Sequence, residues 1–368
     1  MKMSSETSYK DVAVSVWKRY RSHSPFRSYC TVLAMNGMAR LSKIVGDAEM
    51  RAEIAECLQP FLKGEVPDVI GAYGKRVYRF GGNAAAFMLV RGYMPEARDV
   101  MIHSAELLCR EQPRDEEGLF EMPVNPNRNW PGFIWIDTVF GVCPFLLWTG
   151  LAAGRQDFIE ESVKQMLGHH RRLFDPSCKL YRQAFNAKGD RKLTPAHWSR
   201  GVGWGVLALA ELLYDLPKDH RDYAELLNAY RDVMEGCFAA QDADGLWHQA
   251  MEDHGSYVET SGSALILYAI GRGLKNGSIA AEDHDRFLAA YVKGLRAMFR
   301  YIAYDGSVFN TCIGCLAPGA AGTVAEYAAH PWELNDEHAA GPQIMMLSQA
   351  ETLVRRNDIP SLEQLLKG

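Results

Sequence analysis

The sequence has no apolar run long enough to cross a bilayer, and it has no excess of basic residues. A membrane helix needs about 20 largely apolar residues in succession. Residues 130–148 come nearest, but Asp137, two prolines and two glycines interrupt them. Lysine and arginine total 40 against 45 aspartates and glutamates, which gives a formal net charge of −5. Because phosphate neutralisation requires surplus positive charge, the composition predicts neither a membrane protein nor a nucleic-acid partner.

The N-terminal residues also lack the apolar core of a signal peptide. Eight cysteines are scattered along the chain, several of them in apolar runs where a free thiol packs as a small hydrophobe. Cys312 and Cys315 form one CxxC pair without a second, which favours packing over a metal or redox role. We therefore expect a cytoplasmic protein, a monomer or homodimer, with reduced cysteines, no metal and no cofactor.

Helical periodicity dominates the sequence and predicts an all-α fold. Apolar residues recur at three-to-four spacing in residues 29–45, 84–92, 96–111, 133–150, 155–173, 197–214, 221–240, 260–275, 281–302 and 338–355. The 368 residues exceed the roughly 250–300 that a simple core holds, so two domains or one closed barrel are expected. Since no linker or low-complexity segment is present, we predict one domain spanning residues 1–368.

Four short extended segments recur between the predicted helices. They read GLFEM from Gly118, CKLYRQ from Cys178, GLWHQ from Gly245 and GSVFN from Gly306, at intervals of about 60 residues. Such a period indicates one supersecondary unit repeated along the chain. Six helix–connection–helix units fill the chain, which predicts an (α/α)6 barrel of six helical hairpins. An open solenoid of helix pairs is the alternative, although its repeats are usually shorter.

Asp137 is the single ionisable residue in the apolar run of residues 130–148. Apolar surroundings disfavour the charged form of a carboxyl group and raise its pKa, so that it can donate a proton near neutral pH. A helix-capping role is the alternative, since Pro131 and Gly132 indicate a nearby helix start. The predicted helix places Asp137 about a turn too deep for capping. Asp137 is therefore the candidate general acid.

Residues 197–204 read HWSRGVGW and open another predicted helix. Arg200 and Trp204 are four apart and share a helix face. An indole that stacks on a sugar ring and a guanidinium that grips a carboxylate suit a sugar acid; core packing and a structural ion pair are the alternative. Gly201, Gly203 and Gly205 indicate a close approach to this helix. Near the last helix, Asn335 or Asp336 is expected to act as an N-cap.

Four motifs together resemble a known family. WIDTVF at 135–140, WSRGVGW at 198–204, ETSGSA at 259–264 and NDEHAAG at 335–341 are similar to segments of the unsaturated rhamnogalacturonyl hydrolases of glycoside hydrolase family 105. The unsaturated glucuronyl hydrolases of family 88 are related to them. The resemblance implies an (α/α)6 barrel that hydrates the enol ether of a 4,5-unsaturated uronic acid on a small oligosaccharide. It implies that Asp137 serves as general acid and then as base.

The resemblance further implies that Trp198, Arg200 and Trp204 bind the substrate, and we add Trp135 and His338 from the neighbouring motifs. Two departures fall near the expected pocket. The family usually has a second aspartate where this chain has Asn83, and a histidine where this chain has Gln183. We assign Asn83 and Gln183 to substrate binding. Another (α/α)6 enzyme, such as an epimerase or a glycosidase on a saturated substrate, and a non-catalytic helical-repeat binding protein are the alternative functions.

Overall fold

The computed structural model describes residues 7–66, 76–122, 132–316 and 321–367. The helices in these ranges are α1 (Tyr9–His23), α2 (Tyr29–Val45), α3 (Ala48–Leu62), α4 (Gly82–Val90), α5 (Arg98–Glu111), α6 (Asp137–Ala153), α7 (Gln156–Leu173), α8 (Ser199–Asp215), α9 (Tyr223–Ala240), α10 (Thr260–Asn276), α11 (His284–Met298), α12 (Val324–Ala329), α13 (Ala340–Arg355) and α14 (Leu362–Lys367). The strands are β1 (Phe133–Trp135), β2 (Phe174–Asp175), β3 (Leu180–Tyr181), β4 (Ala184–Asn186), β5 (Thr311–Cys312) and β6 (Trp332–Glu333). Three short 3-10 turns lie at Arg76–Phe80, Pro95–Ala97 and Ala281–Asp283.

Six helices form a closed inner ring. Helix α2 packs against α4, α4 against α6, α6 against α8, α8 against α10, α10 against α13, and α13 returns to α2. Helices α1, α3, α5, α7, α9 and α11 pack outside this ring, and each precedes an inner helix in the chain. The predicted (α/α)6 barrel of six hairpins is therefore confirmed, and the open solenoid is excluded.

Burial explains why the two rings differ in sequence. An inner helix contacts two neighbours, an outer helix and the barrel centre, so it is apolar all round; every residue of α8 from Ser199 to Leu213 is buried. An outer helix such as α7 buries one face only. Side chains from five inner helices fill the centre: Leu33, Phe140, Trp204, Leu207, Leu265, Tyr268 and Met345.

The inner helices all begin at one end of the barrel. The starts of α8 and α10 touch, since a β-carbon on Gly262 would lie 2.5 Å from the carbonyl carbon of Ser199. Gln343 in the first turn of α13 likewise donates to the carbonyl oxygen of Thr260, the first residue of α10, at 3.0 Å. Polar groups at helix starts therefore meet around a single opening of the barrel.

The four recurring segments lie between helices, as predicted, and the structure shows that each leads from an outer helix toward an inner one. Each contains short antiparallel pairing, for example between Ile302 and Val308. Gly118, Gly245 and Gly306 adopt φ values of 78°, 107° and 83°, a left-handed conformation that glycine tolerates best. The remaining segment turns at Lys179 with φ of 59°.

Three local predictions were wrong. Residues 133–135 form β1, which pairs with β4, so the helix predicted over 133–150 begins only at Asp137. Asp137 is therefore the first residue of α6 and does not lie one turn inside the helix, as the prediction had it. Helix α13 begins at Ala340, and Asn335 does not cap it; its Oδ1 instead accepts from the backbone N–H of Val308 at 2.8 Å. Asp336 accepts from the N–H of His338 at 2.9 Å. Contacts with segments distant in sequence therefore set where α6 and α13 begin.

The opposite end of the barrel holds a cavity of about 380 Å³. Its lining includes Arg40, Lys43, Arg91, Arg272 and Lys275, near the C-terminal ends of the inner helices. Cations are favourable at helix C-termini because the unpaired carbonyl groups there carry partial negative charge. None of the predicted site residues lines this cavity. Across the described ranges, no helix is both long and apolar enough to span a membrane.

Candidate active site

Asp137 lies at the start of α6, at the opening where the inner helices begin. Its side chain is partly buried, and its Oδ2 accepts a hydrogen bond from Gln183 Nε2 at 2.8 Å. The pairing of β1 with β4 sets this contact, because the backbone N–H of Ile136 donates to the carbonyl oxygen of Gln183 at 3.1 Å. An amide donor on Oδ2 directs a carboxylic proton to the other oxygen. Asp137 is thus held in one orientation by its neighbour.

Gly201 makes room for Gln183. A β-carbon at Gly201 would overlap Gln183 Oε1 and would lie 3.2 Å from Trp198 Cε3. The close approach predicted for this helix is confirmed, but protein side chains make it. A β-carbon at Gly203 would likewise lie 2.9 Å from Leu265 Cβ. The glycines of α8 therefore fit the helix to the residues around Asp137 and to α10.

Arg200 is almost completely buried at the start of α8. Its Nη1 donates to the carbonyl oxygen of Cys312 at 2.7 Å and to Ser261 Oγ at 3.1 Å, and it lies 3.8 Å from Glu259 Oε1. Glu259 caps α10 by accepting from the backbone N–H groups of Ser261 and Gly262. The ion pair expected as a structural alternative for Arg200 is therefore present.

The other edge of the Arg200 guanidinium has no partner in the described ranges. Nε and Nη2 are both buried and donate to no described residue. A buried donor without an acceptor costs about 1–3 kcal/mol, and more when it is charged. These two nitrogens lie on the same edge of the planar group, which is the geometry that grips a carboxylate with two parallel bonds. Arg200 thus makes its structural contacts through Nη1, while Nε and Nη2 are buried without an acceptor among the described residues.

Trp198 packs against protein groups. Tyr327 stacks on its ring at 5.7 Å, and the Arg200 guanidinium lies 4.5 Å from its centroid. Its Nε1 donates to Gln249 Oε1 at 3.1 Å, and only 1% of the residue is exposed. In this arrangement Trp198 positions Arg200 and leaves little ring surface for a sugar.

Trp204 and Asn83 both contact Phe140 of α6. Trp204 stacks on Phe140 with ring centroids 4.2 Å apart and is 2% exposed. Asn83 Nδ2 donates to the carbonyl oxygen of Phe140 at 2.9 Å, while Asn83 Oδ1 is buried without a described partner. The two residues form the floor below Asp137, since Phe140 is in the first turn of α6.

His338 precedes α13 and closes the opening on another side. Its Nδ1 lies 2.6 Å from Asp336 Oδ1, and its Nε2 lies 2.5 Å from the hydroxyl oxygen of Tyr29. Burial opposes ionisation of Asp336, but His338 and Arg200 lower its pKa below the usual value. An aromatic path connects His338 with the floor, because Tyr29 contacts Tyr78 at 5.8 Å and Tyr78 contacts Phe140 at 6.3 Å.

Tyr78 and Tyr327 are site residues that the sequence did not indicate. Burial chiefly raises the pKa of each hydroxyl, and the negative charge of Asp137 contributes in both cases. Tyr327 belongs to the six-residue helix α12, and Tyr78 to a 3-10 turn. Neither element has a clear periodic pattern, so only the tertiary structure reveals their position near Asp137.

The structure groups the predicted residues in two adjoining clusters. Asp137, Gln183, Asn83, Trp204 and His338 are connected through Phe140 and the tyrosines. Trp198 and Arg200 are connected with Tyr327 and β5. Trp135 lies in β1 beside both, 2% exposed, with a buried indole N–H that donates to no described group.

Solved structures share this fold. Possible members of family 105 from Salmonella enterica and Klebsiella pneumoniae match with TM-scores of 0.81 and 0.78, each at 18% identity and over at least 96% of both chains. The unsaturated glucuronyl hydrolase from Bacillus sp. GL1 matches with a TM-score of 0.70 at 15% identity, over 97% of both chains. At these identities the likeness establishes the (α/α)6 architecture.

The sequence comparison defines the family. The model of Glycosyl Hydrolase Family 88 matches residues 2–354, and the chain belongs to this family. The unsaturated rhamnogalacturonyl hydrolase YesR of Bacillus subtilis is 31% identical over 212 residues, which are 57% of this chain and 58% of that protein. An unsaturated 3S-rhamnoglycuronyl hydrolase of Formosa agariphila is 28% identical over 190 residues, 47% of this chain and 48% of that protein. The chain thus matches about half the length of these relatives.

Proposed function

We propose that the protein is a hydrolase of 4,5-unsaturated uronic acids at the non-reducing end of small oligosaccharides, acting as one domain over residues 1–368. Membership of Glycosyl Hydrolase Family 88 supports this activity, and so do the names of the relatives. Family membership also favours it over an epimerase or a binding protein. The observation that carries the proposal is the position of Asp137, a partly buried acid held by Gln183 at the helix starts.

Asp137 performs the acid–base chemistry in this proposal. Its carboxylic proton adds to C4 of the C4–C5 double bond, and positive charge develops at C5 and the ring oxygen. The carboxylate then takes a proton from water as the water oxygen bonds to C5. The resulting hemiketal opens, and the hemiacetal at C1 releases the neighbouring sugar. One carboxyl group suffices, whereas ordinary glycosidases need two flanking the bond.

Arg200 binds the uronate carboxylate through Nε and Nη2. Both nitrogens are buried without a described partner, and two parallel bonds to a carboxylate would satisfy them together. Trp198 holds the guanidinium in place from below its plane. Trp204, Asn83, Trp135 and His338 shape the floor and sides of the pocket.

Loss of the ultraviolet absorbance of the conjugated double bond measures the reaction directly. We expect the protein to remove this absorbance from lyase-generated disaccharides, and Asp137→Asn to abolish the loss because an amide cannot supply the proton. Asp99→Asn is the matched control, since Asp99 is an exposed acid in the first turn of the outer helix α5. An active Asp137→Asn variant would remove Asp137 from the mechanism. Inactivity of the wild type on unsaturated disaccharides from pectin, ulvan and glycosaminoglycan lyases would overturn the proposed function.

The cytoplasmic location, the monomeric or homodimeric state and the absence of a nucleic-acid partner stay predictions from the sequence. Size-exclusion chromatography with light scattering tests the oligomeric state.

A further inference from the structure

The cavity at the C-terminal ends of the inner helices is rich in cations. Its volume of about 380 Å³ is within the range of pockets that bind small molecules. Seven of the 14 described residues that line it are arginine or lysine, and none of the 14 is an aspartate or glutamate. This cationic cavity lies at the barrel end opposite Asp137, so the proposed hydrolysis does not use it.

Glu211 lies behind the lining, and both of its carboxylate oxygens already have partners. Its Oε2 accepts from Arg40 Nη2 at 2.7 Å and from Arg272 Nη2 at 3.4 Å. Its Oε1 accepts from the hydroxyl group of Tyr268. One carboxylate therefore balances two guanidinium groups.

The neighbouring cations leave more positive charge unbalanced. Asp215 forms an ion pair with Arg91. Lys43 has no hydrogen bond or ion pair with any described residue, and Lys275 Nζ donates only to the Tyr214 hydroxyl, at 3.3 Å. Burial chiefly lowers the pKa of Lys43, and the positive charge of Arg91 lowers it further. Together with the arginines at Glu211, five cations share two carboxylates, which leaves an excess of three positive charges.

Donors remain available on the two arginines at the floor of the cavity. Nη1 of Arg40 and Nη1 of Arg272 donate to no described residue, and neither nitrogen is fully buried. The Arg272 guanidinium lies 3.4 Å from the ring centroid of Tyr214. The Arg40 guanidinium lies 4.4 Å from that of Phe87. Because these aromatic faces hold the groups without neutralising them, both arginines are oriented for a negatively charged ligand.

A ligand can reach the floor past a rim of two further arginines. The side chains of Arg355 and Arg356 are 50% and 51% exposed, and each pairs with a nearby carboxylate. Those of Arg40 and Arg272 are 6% and 5% exposed. The cavity thus leads from solvent to two nearly buried cations.

The negative ends of the helix dipoles explain only part of this arrangement. Lys43 and Lys275 lie in the last turns of α2 and α10, where a cation is favourable. This effect falls off within the last turn, and Arg40 and Arg272 lie before it. The helix ends also provide no acceptor for the Nη1 groups of these two arginines.

We propose that the cationic cavity binds a small phosphate-bearing anion, such as a phosphate monoester or pyrophosphate. A phosphate monoester carries about 1.5 to 2 negative charges near neutral pH and has three strong acceptor oxygens. It therefore matches the excess charge and the several donors better than a single carboxylate does. Arg40 and Arg272 bind it from the floor, and Lys43 and Lys275 from the helix ends. The site does not depend on the proposed hydrolase activity.

Calorimetric titration of the full chain with pyrophosphate tests the site. We expect one equivalent to bind and the melting temperature to rise with its concentration, because a ligand of the folded state stabilises that state. Lys43→Gln and Lys275→Gln should each weaken binding roughly tenfold or more, since each removes a charge-assisted contact. Citrate, which carries carboxylates in place of phosphoryl groups, should bind more weakly than pyrophosphate.

Lys18→Gln is the matched control, because it removes the same charge from an exposed lysine of the outer helix α1 that does not line the cavity. It should bind pyrophosphate as the wild type does. Circular dichroism establishes that each variant is folded, and Lys275→Gln alone decides the result if Lys43→Gln does not fold. A wild type without saturable binding, or cavity variants that bind no more weakly than Lys18→Gln, would overturn the site. Citrate binding as tight as that of pyrophosphate would overturn the assignment to phosphate.

Discussion

Gly201→Ala should reduce activity although Gly201 carries no reactive group. The added methyl group would overlap Gln183 Oε1, so the Gln183 side chain must move and lose its 2.8 Å bond to Asp137. A hydrogen bond to a charged group contributes about 1.5–3 kcal/mol. If this bond positions the acid in the transition state, kcat/KM should fall roughly 10- to 150-fold. The substitution should by itself stabilise the helix, because alanine favours a helix interior by about 1 kcal/mol relative to glycine. This gain in folding free energy opposes the cost of displacing Gln183.

A double-mutant cycle separates this effect from general damage. Gln183→Ala removes the overlapping atom together with the bond, so adding Gly201→Ala to it should change kcat/KM little further. Gly203→Ala is the matched control, since its β-carbon would meet Leu265 Cβ at 2.9 Å and not Gln183. We expect Gly203→Ala to lower the melting temperature with kcat preserved in the folded protein. Effects of Gly201→Ala and Gln183→Ala that simply add would refute the reasoning.

Three further substitutions test other parts of the structure. Arg200→Lys removes the planar guanidinium group and its pair of parallel N–H donors. KM for an unsaturated disaccharide should then rise by roughly tenfold, which corresponds to about 1.4 kcal/mol for one charge-assisted bond. An unchanged KM would exclude Arg200 from carboxylate binding. Asn83→Asp, which restores the carboxylate usual in the family, takes the donor from the carbonyl oxygen of Phe140, so the free energy of unfolding should fall by at least ~1–3 kcal/mol in urea titrations. Burial lowers the pKa of His170, which contacts the Tyr181 hydroxyl, from 6.5 to about 4. The unfolded chain therefore binds more protons than the folded protein between these pH values, and the protein should lose up to about 3 kcal/mol of stability as pH falls from 6.5 to 4. In urea titrations at several pH values, His170→Gln should make the free energy of unfolding depend less on pH. An equally steep dependence in the variant would contradict the role of His170.

The sequence predicts the architecture because the barrel repeats one local pattern. Amphipathic outer helices, apolar inner helices and a recurring connection near Gly118, Gly245 and Gly306 are all visible without the structure. The predicted helices omit α1, α3 and the two six-residue helices α12 and α14. Helix α3 contains Pro60, which weakens its pattern, whereas α1 has regularly spaced buried residues from Tyr9 to Tyr20 that the prediction overlooked.

The site was less predictable because its contacts join distant segments. The bond between Gln183 and Asp137 depends on β1 pairing with β4, and residues 133–135 read locally as a helix. The sequence predicted that Arg200 and Trp204 share a helix face, but in the structure the Arg200 guanidinium lies against Trp198 and Trp204 stacks on Phe140. The sequence also could not indicate that Tyr327 covers the Trp198 indole. Aromatic and charged residues at helix starts are good candidates for functional residues. Whether they are exposed depends on side chains from distant parts of the sequence that pack against them.

The shared direction of the inner helices makes the two openings of the barrel electrically different. At one opening lie the backbone N–H groups of the helix starts and a few polar side chains, where we propose that the acidic sugar binds. At the other, Arg40, Lys43 and Lys275 lie near the helix C-termini, where positive charge is favourable, and Arg40 also pairs with the buried Glu211 at 2.7 Å. The cationic cavity and the residues proposed for catalysis therefore lie at opposite ends of the same ring, so that substitutions in the cavity can be made without touching the proposed site.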